Sequence, residues 1–129
     1  MNPVLTFVAP PPGLAPLVDF SLDKIDGADG LYAMHALHAD LDSELRLFLL
    51  DAQVHLPDYA PMLTDEQCAA VDVTTPEDAI VLVVANPAAD GTTVNLLAPI
   101  VVNASTGASA QFILEGQNYS LRQELRSAA

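Results

Sequence analysis

The chain has 129 residues, 51% of them hydrophobic but only 5% aromatic and none of them Trp, which suits one domain with a core of Val, Leu, Ile and Ala. Seventeen acids face four bases (Lys24, Arg46, Arg122 and Arg126), a formal charge of −13. This excludes the clustered Lys and Arg that grip phosphates, disfavours an anionic membrane surface and would attract a basic protein.

Val4 to Phe7 is a short apolar piece, and Pro10-Pro11-Pro12-Gly13 then forces an extended segment and a turn. Leu17 to Asp23 alternates, with Val18, Phe20 and Leu22 on one face, as a half-buried strand does. The turn cluster from Asp26 to Gly30 predicts a hairpin to the next strand, Leu31 to Leu37. In Glu44 to Leu50, Leu45, Leu47 and Leu49 share one face and Phe48 and Leu50 the other, so both sides expect cover. Proline bars His55 to Tyr59 from a central strand. Thr64 and Gln67 form a capping box for a short helix ending near Val71, with Asp65 and Glu66 at its positive end. Thr75-Pro76-Glu77-Asp78 is a second capped turn. Ala79 to Ala85 is β-branched and apolar on both faces, the expected central strand. Val94 to Leu97 and Ile100 to Asn103 are strand pieces divided by Pro99. Ala108 to Glu115 alternates, with Ala110, Phe112 and Leu114 expected inward and Ser109 and Gln111 outward. Seven or eight short strands and one or two short helices make a mainly β fold, a small antiparallel β-barrel-like domain.

Catalytic and metal-binding signatures do not occur. The chain has no G-x-S-x-G, G-x-x-x-x-G-K-[ST], H-E-x-x-H or C-x-x-C. The single cysteine, Cys68, excludes an intrachain disulfide and reads as a small apolar residue on the helix. His35 and His38, with His55 and Asp58, would meet at a metal only by tertiary coincidence. No metal, no cofactor and no enzymatic activity are expected. The start lacks a basic n-region, and the longest proline-free apolar run, Ala79 to Ala85, is far short of a membrane span. A cytoplasmic location is expected by elimination.

The stretch Thr93-Val94-Asn95-Leu96-Leu97-Ala98-Pro99-Ile100-Val101-Val102-Asn103 resembles the signature of the FliW family of flagellar assembly factors, T-[VI]-N-L-x-A-P-I-x-[IV]-N. Pro57-Asp58-Tyr59, Thr75 to Leu82, Gln111 to Leu114 and Tyr119 to Arg122 resemble further blocks of that family, in the same order from about Phe7 to Leu125. The resemblance implies a single FliW-like domain over residues 1–129, with 1–16 a proline-rich, divergent N-terminal segment. Of the family's F-P-x-G-[IL]-P-G-F-E opening, Phe7, Pro12 and Gly13 match. The extra strand pair that family members carry upstream is missing, which implies a less complete barrel with an exposed edge.

The function implied by the resemblance is protein binding. Such proteins bind flagellin in the cytoplasm and antagonise CsrA, a small basic RNA-binding repressor of flagellin translation. Asp58, Tyr59, Asn95, Pro99 and Asn103 are the expected partner-binding residues. Asn95, Pro99 and Asn103 have an equally good structural reading, Pro99 ending one strand and starting another and the Asn side chains satisfying bent backbone. The alternative function is a small-molecule-binding β-barrel or a small enzyme. A deep apolar pocket with converging polar groups would favour it, and a filled barrel would favour protein binding.

Overall fold

The computed structural model describes residues 4–9, 18–25, 27, 30–36, 46–56, 59, 61–88, 91–114, 116, 119–120 and 122–125. Four strands come first: β1 (Val4–Phe7), β2 (Asp19–Lys24), β3 (Leu31–Ala36) and β4 (Arg46–Asp51). Two short helices follow, α1 (Ala52–His55) and α2 (Asp65–Ala70), then a 3₁₀ turn at Pro76–Asp78. The rest is strand: β5 (Ala79–Ala88), β6 (Gly91–Val94), β7 (Ile100–Asn103), β8 (Ala108–Gln111) and β9 (Gln123–Leu125).

β1 to β5 form an antiparallel meander, with β7 and β8 continuing from β5. β8 then pairs in parallel with β1, Thr6 opposite Ala108 and Phe7 opposite Ser109, and the ring of seven strands closes. The expected exposed edge is therefore corrected. β1 pairs with β8 on the side away from β2, and the carbonyls of Gly107 and Ser109 accept from the N–H groups of Thr6 and Val8 at 3.0 and 2.9 Å.

β5 holds the architecture together because its 10 residues outrun any one neighbour. Leu82 pairs with Asp51 of β4 and Ile100 of β7, and Ala85 pairs with Phe48 of β4 and Val94 of β6. β6 and β7 thus share the edge of β5 that lies opposite β4. The first half of β5 belongs to the barrel, and its end carries a side leaf of β6 and β9. The expected strand Val94 to Leu97 is accordingly corrected. β6 ends at Val94, and the chain bends away so that β7 can take up the same edge.

Period two fills the barrel. Leu5, Phe7, Phe20, Leu22, Met34, Leu49, Leu82, Ile100 and Val102 form one buried cluster. Phe7 and Phe20 meet edge to face with centroids 5.4 Å apart. Two further clusters lie outside the barrel. Leu50, Val83, Ala85, Val94 and Leu96 pack under Leu56, Tyr59 and Tyr119. Val101 and Ala110 pack under Val71 and Val73, with Leu63 and Cys68 against them. Phe48 and Leu50 are thus covered opposite Leu47 and Leu49, as the two-faced pattern of β4 implied.

The face expected for β8 is inverted. Ser109 pairs with Val102 and is fully buried, while Ala110 pairs with Val101 under the helix side. Residues opposite each other on neighbouring strands share a face. With α2 covering the outside, both faces of β8 are dry and small residues alone do not show which is the inner one. Ser109 tolerates burial because its Oγ donates to the Gly107 carbonyl at 2.9 Å.

α2 is built on the capping box foreseen. Thr64 Oγ1 accepts from the Gln67 N–H at 3.0 Å, and Gln67 Oε1 accepts from the Thr64 N–H at 2.9 Å. α1 was not foreseen. Asp51 caps it, its carboxylate accepting from the Gln53 N–H at 2.9 Å. Gly30 allows α1 to sit against the β2–β3 hairpin. Its φ is +77°, and a Cβ there would lie 3.0 Å from the His55 ring and Val54.

Candidate functional site

The signature block forms the bend where the sheet forks. Asn95 turns the chain with one oxygen. Its Oδ1 accepts from the N–H groups of Leu97 and Ala98, both at 3.1 Å. Pro99 is fully buried at the end of the bend, and β7 starts at the next residue. Gln111 Nε2 donates to the Ala98 carbonyl at 3.1 Å and ties the bend to β8.

Tyr59 clamps the bend from outside. Its hydroxyl donates to the Leu96 carbonyl at 2.5 Å. Its ring stands edge to face on Tyr119, 4.8 Å between centroids. The Leu96 N–H donates to the Ser120 carbonyl at 2.9 Å, so the same bend also holds the C-terminal segment. Burial, aided by the neighbouring Tyr119 phenol, pushes the Tyr59 hydroxyl well above its ordinary pKa.

Asn103 is a second knot, 5% exposed. Its amide nitrogen donates to the carbonyls of Val71 and Asp72 at 2.9 and 3.1 Å, and its oxygen accepts from the N–H groups of Ser105 and Thr106 at 2.9 and 3.2 Å. It holds the end of α2 onto β7. Asp72 adopts φ 57° there, a conformation Asp reaches more easily than most side chains. Of the five residues singled out from the sequence, Tyr59, Asn95 and Pro99 come together at the fork and Asn103 lies at the other end of β7. Asp58 lies outside the described residues, as does His38.

None of the residues singled out from the sequence marks the surface between the two helices. A cavity of about 720 Å³ lies between α2 and β5, lined by Pro61, Leu63, Cys68, Ala69, Val73 and Val81 among others. A smaller one of about 260 Å³ adjoins it toward α1 and shares Pro61, Ala79 and Val81. Cys68 is partly exposed beside the larger cavity, which refines its expected role as a small apolar residue. Among the described residues no three His, Cys, Asp or Glu side chains are placed to hold a metal ion. His35 Nε2 lies 3.6 Å from Asp23 Oδ2 across the β2–β3 hairpin. No helix among the described residues is long and apolar enough to cross a membrane.

The molecule is a small closed β-barrel with a side leaf, in which the Asn95 oxygen and the Asn103 amide of the signature block bond the chain's own backbone. The chain belongs to the FliW family, whose model, described as FliW protein, matches residues 1–125. It is 32% identical over 95 residues to the flagellar assembly factor FliW of Desulfitobacterium hafniense strain Y51, covering 72% of this chain and 62% of that protein. The FliW of Moorella thermoacetica is 35% identical over 92 residues, 69% of this chain and 58% of that protein. That of Geotalea uraniireducens is 34% identical over 88 residues, 67% and 54%. The chain thus spans less than two thirds of the length of these curated relatives. A crystal structure of the flagellar assembly factor FliW shares the fold, with a TM-score of 0.86 and 24% identity over 98% of this chain and 89% of that one.

Proposed function

We propose that this chain is a cytoplasmic flagellar assembly factor that acts by binding proteins and not by catalysis. It would hold flagellin in a chaperone-like way and, where a CsrA-like repressor is present, antagonise it, coupling flagellin synthesis to export. The observation that carries this reading is the family match over nearly the whole chain. The surplus of acids favours a basic partner, because opposite net charges speed encounter. The filled barrel supports it against a ligand-binding lumen. In this reading Tyr59, Asn95, Pro99 and Asn103 serve partner binding by fixing the shape of the surface around them, and Asp58 contributes charge beside Tyr59. Nucleic acid and membrane are not partners.

The test is capture of the cognate flagellin and of the repressor by the purified chain. Complexes at micromolar concentration, with release of RNA from the repressor, are the expected result. Failure to bind either protein would overturn the reading.

A further inference from the structure

The outer face of β5 is covered twice but not completely. Leu56 and Tyr59 close it over Val83 and Ala85, and α2 with Val71 and Val73 closes the neighbouring β7–β8 face. Between these covers Ala79 and Val81 stay partly exposed and form the floor shared by both cavities. The result is one trough, bridged by Pro61, running from α1 to α2. At about 720 Å³, its larger part has the size of a ligand site.

The trough has a charged rim of one sign. Asp65 and Asp72 line it, both exposed, and Glu66 and Glu77 are exposed close by in sequence. Among the described lining residues there is no Lys or Arg. From Leu47 to Leu121 the sequence holds nine acids and not one Lys or Arg. Every described residue that lines the trough comes from within that stretch. An apolar floor with an acidic rim matches an amphipathic peptide segment carrying apolar side chains on one face and Lys or Arg on the other.

We propose that the trough between α1 and α2, floored by Ala79 and Val81, is the docking groove for a basic amphipathic segment of a partner protein. The inference rests on the protein-binding reading and adds where the partner docks and what chemistry it presents. Apolar side chains fill the two cavities and set the lifetime of the complex. The rim acids raise the association rate and select against acidic segments.

The test is a nuclear magnetic resonance titration of the full chain with a synthetic amphipathic peptide of Leu and Lys, and with a control in which Glu replaces Lys. The expected result is amide shifts concentrated between residues 52 and 81, with binding at least tenfold tighter for the Lys peptide. Ala69→Trp, at an exposed position, should plug the larger cavity and abolish binding. Asp65→Asn with Asp72→Asn should weaken it several-fold and flatten its salt dependence. Equal binding of the two peptides, shifts centred on β2 and β3, or unchanged binding by Ala69→Trp would each overturn the proposal. Capture of flagellin or the repressor by wild type and Ala69→Trp alike would discard the groove and leave the protein-binding reading standing. Capture by neither would discard both.

Discussion

The two faces of β5 differ in kind. The inner face, Ile80, Leu82 and Val84, meets the opposite wall of the barrel in a cluster drawn from six strands. The outer face is divided between two patches of cover, and Ala79 and Val81 lie at the joint between them. One face thus makes the protein stable, and the other leaves apolar surface free to be covered by something else. The lesson is that in so small a barrel the binding surface is built where the outer layer is incomplete.

Substitution separates the faces. Leu82 is completely buried, so Leu82→Ala should cost about 3 to 4 kcal/mol, the usual range for a leucine cavity. Val81→Ala, one residue along and partly exposed, should cost about 1 kcal/mol while weakening partner capture. Urea unfolding of both variants checks this, and equal losses would erase the distinction. Asn103→Ala strips partners from two carbonyls and two N–H groups at a buried site. A loss of about 2 to 3 kcal/mol is expected, and thermal melting would show it. Thr64→Ala removes the cap of α2, half of the groove wall, and should cost about 1 kcal/mol. Hydrogen exchange of α2 should rise more than that of the barrel strands.

Much of the barrel was legible before the structure because period two survives where one face is dry. β2 and β3 and the capping box of α2 fall within a residue or two of their expected places. What failed has more than one cause. β8 has small residues on each side, so its inward face read the wrong way round. β9 has three residues and no apolar alternation to announce it. The fork could not be seen either, because pattern does not tell that β6 and β7 share one edge of β5. Asn95, Pro99 and Asn103 stood out as a motif, yet only the geometry shows that the Asn95 and Asn103 oxygens accept from the chain's own backbone and that the Pro99 ring is buried. The trough had one legible trace, the long run without Lys or Arg.

The smallest expected effect is at the clamp. Tyr59→Phe removes the hydrogen bond to the Leu96 carbonyl and should cost about 1 kcal/mol near neutral pH. The folded chain raises the pKa of this phenol, whereas in the unfolded chain it ionises near about pH 10. Its stabilisation is therefore complete below that pH and is lost as pH rises above it, because the unfolded state sheds the proton first. Urea midpoints from pH 8 to 11 should fall more steeply for wild type than for Tyr59→Phe.

Hydrogen exchange of the full chain, alone and in complex with captured flagellin or repressor, tests the division between the two faces of β5 most directly. The account predicts new protection in α1, α2 and the stretch from Pro61 to Val81, with the barrel strands β1 to β3 unchanged. Protection centred on β2 and β3, or spread evenly over the acidic surface, would contradict it.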